Sequence, residues 1–341
     1  MSATNLNATN PKAASPSATF QRVARTQAAE DFFSTVEKLE SSMTIDDDLA
    51  AKLKTSSSDM YNALAARAPR FWNWGFYRED IHTEMQQRLP GYHFETDGYS
   101  EQLYYCMMRK VRVEDHSKLT ILEIGSGAGN GLNLLSRIFG FKAAIGVDLS
   151  EGAVCAANAK FARPGLRFLE GDAENLPLGD GEVDLVLNVE SSHCYPDPTR
   201  FLKEVARVLK PGGYFAHSDA FTRERRRAFE SVMRNSSSFE WLESIDISRC
   251  VKDAISRRMD PDSLVRKLIR QRRPSWWSSA LKLSFFPLLA HEVLTLRTYG
   301  SQFISYEHGI QEKLVNMLSS DRAKDYHSRI EAYFYHLGRK L

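Results

Sequence analysis

The chain has 341 residues, of which 43% are hydrophobic and 26% are charged, and its formal net charge at pH 7 is +2. This composition is that of a globular protein and excludes a fibrous or wholly disordered chain. Nucleic-acid-binding proteins usually show a clear basic excess on one face, so the near balance of charge argues against a nucleic-acid partner.

The cysteines and the hydropathy pattern indicate the compartment. Cys106, Cys155, Cys194 and Cys250 form no C-x-x-C pair, which argues against a zinc site or a disulfide framework. No run of about 18 apolar residues occurs, and the first residues lack the compact apolar stretch of a secretory signal. We expect a soluble, cytoplasmic protein without a bound metal.

The first 117 residues divide into a tail and a helical region. Residues 1–29 contain no Asp or Glu and are rich in Ala, Ser, Thr and Asn. This favours a disordered tail, with an organelle transit peptide as the alternative. Residues 30–117 are predicted to form a helical cap, in which the aromatic segment 71–77 is too dense for a solvated loop and should pack over another part of the molecule.

Residues 118–219 alternate short β-branched runs with helical segments, which is typical of βαβ units around a buried parallel sheet. The predicted strands are residues 120–124, 143–147, 166–170, 183–189 and 214–218. The helix before the fifth strand has clear start signals, with Asp197 as the N-cap and Pro198 at the first helical position.

Residues 220–341 are predicted to hold a helical lid, the final strands and a C-terminal tail. The stretch 266–296 combines a cationic run, Trp and Phe residues, and a long apolar segment. Two interpretations stay open, namely a segment that lies at a membrane surface or a lid whose apolar side covers the active site. Nothing in the sequence predicts an oligomeric state.

A glycine-rich turn follows the first predicted strand, in the sequence Glu-Ile-Gly-Ser-Gly-Ala-Gly over residues 123–129. Glycine is needed at Gly125, Gly127 and Gly129 because the chain turns tightly there and brings its backbone against a ligand, which a Cβ would obstruct. The spacing differs from the dinucleotide fingerprint G-x-G-x-x-G, since residue 130 is Asn, and this disfavours a pyrophosphate ligand.

Carboxylates follow the second and third predicted strands. Asp148 lies about 20 residues beyond the glycines, where it can accept hydrogen bonds from both hydroxyls of a ribose. Asp172 follows the third strand, where it can accept a hydrogen bond from the exocyclic amine of an adenine. Either residue alone could cap a helix or lie in a turn, but the two together, each at a strand end, indicate a nucleoside site.

These motifs, with residues 147–150 and 208–213, resemble those of class I S-adenosylmethionine-dependent methyltransferases. The resemblance implies S-adenosylmethionine as cofactor. It also implies an α/β, Rossmann-like methyltransferase fold with a seven-stranded, mostly parallel sheet and helices on both faces. The final strand of that sheet is antiparallel, and residues 301–306 are the candidate for it.

The resemblance assigns the predicted site residues to parts of the cofactor. Glu123 and the three glycines border the methionine moiety, Asp148 borders the ribose, and Asp172 and Ala173 border the adenine. The predicted cofactor site is completed by Leu149 and Asn188.

Methyl transfer is an in-line displacement at a sulfonium methyl, so the protein must mainly hold a lone pair of the acceptor about 3 Å from that carbon. His193, just past the fourth strand, is the candidate base for an alcohol or phenol acceptor. Asp219, at the end of the fifth strand, is predicted to orient it, with His217 as a weaker substitute base. Residues 188–195 are similar to natural-product methyltransferases of the phthiotriolone and rebeccamycin-sugar type, and some sugar O-methyltransferases use such a pair.

The aromatic and apolar flanking regions predict a small hydrophobic acceptor and a role in secondary metabolism. The predicted reaction is methylation of an oxygen. The alternatives are N-methylation of a small molecule or peptide, C-methylation in which the aromatic segment stabilises a cation, and a non-catalytic protein that binds the cofactor or a membrane surface.

Overall fold

The computed structural model describes residues 27–41, 46–66, 70–259 and 320–341. Seven strands form one sheet: β1 Thr120–Ile124, β2 Ala143–Asp148, β3 Leu166–Glu170, β4 Val183–Val189, β5 Leu209–Thr222, β6 Phe239–Asp246 and β7 Ile330–Lys340. The α-helices of the described residues are α1 Gln27–Ser41, α2 Asp47–Ala65, α3 Glu79–Arg88, α4 Tyr99–Lys110, α5 Asn130–Phe139, α6 Glu151–Phe161, α7 Pro198–Val208, α8 Arg223–Asn235, α9 Ser248–Met259 and α10 Asp321–Ser328. The predicted α/β architecture is confirmed.

The strand order is β3-β2-β1-β4-β5-β7-β6, and β7 runs antiparallel to both of its neighbours. An antiparallel strand was therefore predicted correctly, but its predicted position was wrong. The strand is formed by Ile330–Lys340, whereas residues 301–306 lie outside the described residues. Strand β7 inserts between β5 and β6. It therefore completes the sheet next to Asp219 of β5, which lies opposite Phe334.

The predicted strands before residue 190 agree with the structure to within one residue. The fifth is longer than predicted, since β5 continues through Asp219 to Thr222. The helical prediction for the chain after Asp219 holds for α8 and α9 but missed β6, which lies between them.

The hydrophobic core occupies both faces of the sheet because the central strands are buried on both sides. In β4, Leu185 and Leu187 pack on the face that the N-terminal helices cover, and Val186 between them packs on the opposite face. This alternation follows from the two-residue period of a strand. The apolar run 185–187 at the centre of β4 therefore fits a strand with layers on both sides.

Helix α7 shows how local signals position one of these layers. Asp197 caps the helix, since its Oδ1 accepts from the backbone N–H groups of Thr199 and Arg200 at 2.8 and 3.1 Å. Pro198 occupies the first turn, as predicted. The buried face of α7 includes Phe201 and Val205, which pack against the sheet.

The N-terminal helices cover the carboxyl ends of the strands. Asn62 of α2 accepts hydrogen bonds from Ser150 Oγ at 2.7 Å and from the backbone N–H of Gly152 at 2.8 Å, which ties α2 to the start of α6.

None of the helices in the described ranges is both long and apolar enough to cross a membrane. The stretch 266–296, for which a membrane surface or a lid was considered, lies outside the described residues.

Candidate active site

A cavity of about 220 Å³ lies at the carboxyl ends of β1 to β4. Ligands of open α/β sheets bind at this edge, where the loops after neighbouring parallel strands converge. The glycine turn forms one wall, and α2 with the segment 70–74 forms another.

Most of the predicted site residues line this cavity. Those that do are Gly125, Gly127, Asp148, Leu149, Asp172, Ala173 and His193. Four others are absent from the lining, namely Glu123, Gly129, Asn188 and Asp219. Each is hydrogen-bonded to a lining residue, in the same order Tyr104, Ser126, Tyr195 and His193.

The glycine turn requires glycine for two separate reasons. The φ angles of Gly125 and Gly127 are +70° and +51°, in the left-handed region that favours glycine. A Cβ on Gly125 would lie 2.2 Å from Ser191 Oγ, and a Cβ on Gly127 would lie 2.9 Å from the ring of Trp72. The aromatic segment predicted to pack over another part of the molecule therefore packs on the glycine turn.

Asp148 at the end of β2 connects this turn to the next loop. Its carboxylate accepts from the backbone N–H of Gly127 at 2.7 Å and from that of Ser150 at 2.9 Å. Burial raises the pKa of Asp148, although these two hydrogen bonds act in the opposite direction. The side chain also lines the cavity, as a ribose-binding carboxylate must.

Asp172 after β3 has a partner that the sequence did not indicate. Its Oδ2 lies 2.7 Å from Lys54 Nζ, and Lys54 also contacts Glu174 at 2.6 Å. Burial opposes the charge of Lys54, but the hydrogen bonds to both carboxylates outweigh it and raise the lysine pKa. Lys54 is 118 residues from Asp172 in the chain, so no local pattern could have paired them.

Three predicted cofactor residues support the wall from behind. Glu123 is fully buried and accepts from Tyr104 Oη at 2.8 Å, and burial raises the pKa of its carboxyl to about 8. Asn188 is also fully buried and donates to Ile124 O at 2.9 Å, so it holds β4 to β1 and does not line the cavity. A Cβ on Gly129 would lie 2.6 Å from the ring of Phe168, which makes this glycine a packing requirement.

His193 and Asp219 come together as predicted from the two strand ends. The imidazole Nδ1 lies 2.8 Å from Asp219 Oδ1, and the backbone N–H of His193 donates to Oδ2 at 2.9 Å. Asp219 is fully buried and also accepts from Ser192 Oγ at 2.6 Å and from the backbone N–H of Ala220 at 2.8 Å. The side chain of His193 is 18% exposed and lines the cavity, so the pair presents an imidazole to a ligand.

The charges of this pair follow from its burial and its hydrogen bonds. Burial would raise the pKa of Asp219, but His193 and the hydrogen bonds outweigh it and hold that pKa below its usual range. An ionised carboxylate only accepts, so Nδ1 of His193 carries the proton of their hydrogen bond. Burial disfavours the imidazolium, yet the Cys194 sulfur and the facing Asp219 carboxylate together outweigh it and raise the pKa of His193 well above 6.5.

His217, the weaker substitute base, lies elsewhere. Its ring is fully buried, stacks on Phe229 at a centroid distance of 4.4 Å and does not line the cavity. Its Nε2 lies 2.8 Å from Ser192 Oγ, and burial lowers its pKa to about 3. His217 is therefore placed to support Ser192 and has no access to an acceptor.

Comparison with known proteins places the chain among enzymes. The family model described as "Methyltransferase domain" matches residues 122–217. The fatty-acid O-methyltransferase of Mycolicibacterium smegmatis is 35% identical over 190 residues, which covers 53% of this chain and 68% of that protein. The chain belongs to the class I S-adenosylmethionine-dependent methyltransferases.

A second relative agrees with this family, and a solved structure shares the fold. The phthiotriol/phenolphthiotriol dimycocerosates methyltransferase of Mycobacterium tuberculosis is 44% identical over 161 residues, covering 47% of this chain. The chain spans just over half of that relative, 57% of its length. The crystal structure of geranyl diphosphate C-methyltransferase from Streptomyces coelicolor, at 14% identity, covers 85% of this chain and 98% of its own with a TM-score of 0.53, which shows the fold.

The methyltransferase site fits its cofactor, S-adenosylmethionine. Asp148 would hold the ribose, and Asp172 with Ala173 would border the adenine. One buried oxygen of the glycine turn, Ser126 Oγ, belongs to a lining residue and has no hydrogen-bond partner among the described residues. Buried polar atoms are normally paired, so this oxygen suits a polar group such as the methionine moiety. The bound cofactor supplies an electrophilic methyl group on a sulfonium.

Sequence reasoning missed the residues that reach the cavity from distant parts of the chain. They are Lys54, Tyr61, Glu190, Tyr326, His327 and Ile330. Only Glu190 could have been found from the sequence, because it directly follows the end of a predicted strand. The others lie on helices or a strand whose local patterns show burial but not the partner.

Proposed function

We propose that this methyltransferase transfers a methyl group to an oxygen of a small, lipid-like acceptor, with His193 as the base. The observation that carries the proposal is the pairing of His193 with the buried carboxylate of Asp219 on a cavity that also contains the glycine turn. One cavity thus holds most of the predicted cofactor residues and a group that can take a proton. This arrangement suits an acceptor whose hydroxyl must lose its proton as the methyl group arrives.

The proposed step balances without any further reagent. The acceptor oxygen forms a bond to the methyl carbon while the bond from that carbon to sulfur breaks, which releases S-adenosylhomocysteine. The proton of the acceptor hydroxyl goes to Nε2 of His193, because Nδ1 already donates to Asp219. The resulting imidazolium lies against the buried Asp219 carboxylate, which stabilises it.

The lining of the cavity supports an apolar acceptor. Side chains from three remote parts of the chain contribute hydrocarbon or aromatic surface: Phe32, Phe33, Leu64, Phe71, Tyr326 and Ile330. Burying apolar area of a ligand against such a wall is favourable by about 25 cal/mol per Å². The names of the two relatives, a fatty-acid O-methyltransferase and a dimycocerosates methyltransferase, also point to lipid acceptors.

The cofactor half of the proposal is tested by calorimetric titration with S-adenosylmethionine. We expect binding by the wild type and at least tenfold weaker binding by Asp148→Ala, because a charged hydrogen bond contributes about 1.5–3 kcal/mol. NAD serves as the control ligand and should not bind. A wild type that binds NAD in preference would contradict the assignment of this site.

The acceptor half is tested by transfer of a labelled methyl group to four probes with matched C12 chains: a fatty acid, an alcohol, a phenol and an amine. We expect labelled product from oxygen acceptors, and a loss of about 10²–10⁴-fold on the alcohol and the phenol in His193→Gln, the usual contribution of a general base. The matched control is His93→Gln, since His93 is exposed and outside the cavity lining. Labelling of the amine alone, with full activity in His193→Gln, would replace O-methylation by N-methylation.

A further inference from the structure

Glu190 lies in the cavity wall beside the His193–Asp219 pair and takes no part in the step proposed above. It directly follows β4, and its φ of +49° lies in the left-handed region that non-glycine residues rarely adopt. Its backbone N–H donates to Ser218 O at 2.7 Å, which fixes this conformation. Unfavourable backbone angles persist where surrounding structure holds them and are concentrated at ligand sites.

The two oxygens of the Glu190 carboxyl have different surroundings. Oε2 accepts from the backbone N–H of Trp74 at 2.8 Å and from Tyr333 Oη at 2.9 Å. Oε1 has no hydrogen-bond partner among the residues that the structure describes, although the side chain lines the cavity. Oε1 is therefore the oxygen left to bind a ligand.

We propose that Glu190 is a second acceptor-binding residue, whose protonated Oε1 donates a hydrogen bond to an oxygen of the acceptor. This inference rests on the proposed O-methylation and adds a residue and a selectivity to it. It does not depend on the His193 base, because a carboxylate acceptor has no proton to lose. Because two donors converge on Oε2, that oxygen keeps its lone pairs for them, and the proton of the neutral carboxyl resides on Oε1. The carboxyl then acts as an anchored donor that points its hydrogen at the acceptor.

The surroundings of Glu190 favour the protonated form at neutral pH. Burial raises the pKa of its carboxyl to about 8, and the negative charge of Asp219 acts in the same direction. The N–H of Trp74, the imidazole of His193 and the hydroxyl of Tyr333 oppose the rise without cancelling it. Within the part of the chain that the structure describes, Tyr61 and Tyr104 of the helical cap also interact electrostatically with Glu190.

A donor at this place selects a particular acceptor chemistry. An alcohol oxygen gives one lone pair to the methyl carbon, and the alcohol proton goes to His193. A hydrogen bond from Glu190 to the other lone pair of this oxygen would reduce the nucleophilicity of the alcohol. A carboxylate has a second oxygen, which can accept from Glu190 while the first oxygen attacks. The proposed selectivity is therefore for an acid over an alcohol of equal chain length.

The binding test compares Glu190→Gln with Glu190→Leu, using dodecanoate and 1-dodecanol as probes in the presence of S-adenosylhomocysteine. The Gln amide oxygen can accept from Trp74 and Tyr333 while its NH₂ donates into the cavity at any pH. We expect dodecanoate to bind Glu190→Gln within about threefold of the wild type and Glu190→Leu at least tenfold more weakly, the loss of one strong hydrogen bond. Binding of 1-dodecanol and of S-adenosylhomocysteine should change less than threefold in both variants. Equal losses in Gln and Leu, or full dodecanoate binding by Leu, would overturn the proposal.

A second readout needs no acceptor. The infrared difference spectrum between wild type and Glu190→Gln at pH 7 should contain the band of a protonated carboxyl, and this band should disappear as the pH rises through about 8. A carboxylate band at pH 7 would overturn the donor role even if neither probe binds. Failure of the proposed function has a different signature, namely no methyl transfer to any oxygen acceptor by the wild type with the carboxyl band intact.

Discussion

The two halves of the cavity are built in different ways. The proposed cofactor half comes mainly from one continuous stretch, residues 123–173, in which each predicted binding residue lies in or just after a strand. The acceptor half combines His193 after β4 with Asp219 on β5, and adds Trp74 of the helical cap and Tyr333 of β7. The cofactor half thus depends on local backbone geometry, whereas the acceptor half depends on strands and helices that meet only in the folded protein.

The largest effect is expected at Asp219, on which the acceptor half depends. Asp219→Ala removes the acceptor of four hydrogen bonds in a fully buried place. Breaking a buried charged pair from one side costs about 3–5 kcal/mol of unfolding free energy. Urea denaturation should show this loss, and Asp219→Asn, which keeps one oxygen acceptor, should lose less. An Ala variant within about 1 kcal/mol of wild type would mean that the pair contributes little to stability.

The cofactor half is tested by Gly125→Ala, which adds a Cβ 2.2 Å from Ser191 Oγ at a φ of +70°. We expect about 1–2 kcal/mol of lost stability from the backbone alone, and at least a tenfold loss of S-adenosylmethionine affinity. The matched control is Gly140→Ala, because Gly140 has a φ of +62° with nothing within 4 Å of the added Cβ. It should share the stability loss but keep the affinity. If both variants bind the cofactor equally well, close packing at Gly125 is unimportant for the site.

The two halves should differ in how the rate of methyl transfer and the affinity for S-adenosylmethionine depend on pH. The folded pKa of His193 is raised above 6.5, so the neutral base accumulates only as the pH rises through that raised value. Methyl transfer to an alcohol should therefore increase above pH 6.5, while S-adenosylmethionine binding should show no matching limb. Asp219→Asn removes the carboxylate charge and should move the limb to lower pH. If the rise of the methyl-transfer rate occurs at the same pH in Asp219→Asn, a group other than His193 causes it.

The smallest effect is expected at Lys54, which joins the helical cap to the adenine end of the cofactor half. The side chain of Lys54 is 25% exposed, and such partly exposed pairs contribute only about 0–1 kcal/mol. Lys54→Met should weaken S-adenosylmethionine binding by roughly two- to fivefold, the range that this energy allows. Lys52→Met is the control on the same helix, because Lys52 is exposed and pairs with Asp48. Equal affinities of the two variants would show that the Lys54 contact does not help to close the site.

The sequence by itself determined the central fold, and it predicted the residues of the proposed cofactor half. The strands before residue 190 and the capped helix α7 were predictable because strand alternation, end signals and the glycine turn each depend on neighbouring residues. Parallel strands also align their carboxyl ends, which is why His193 and Asp219 could be expected to meet.

Only the tertiary structure decided which distant segments complete the site. Lys54 reaches Asp172 across 118 residues, and the sheet takes its antiparallel strand from Ile330–Lys340. The orientation of the Glu190 carboxyl likewise depends on Trp74 and Tyr333, which lie far from it in the chain. A local pattern reports whether a residue will be buried, but the partner of a buried polar group is set by the packing of whole elements, and this information is not local.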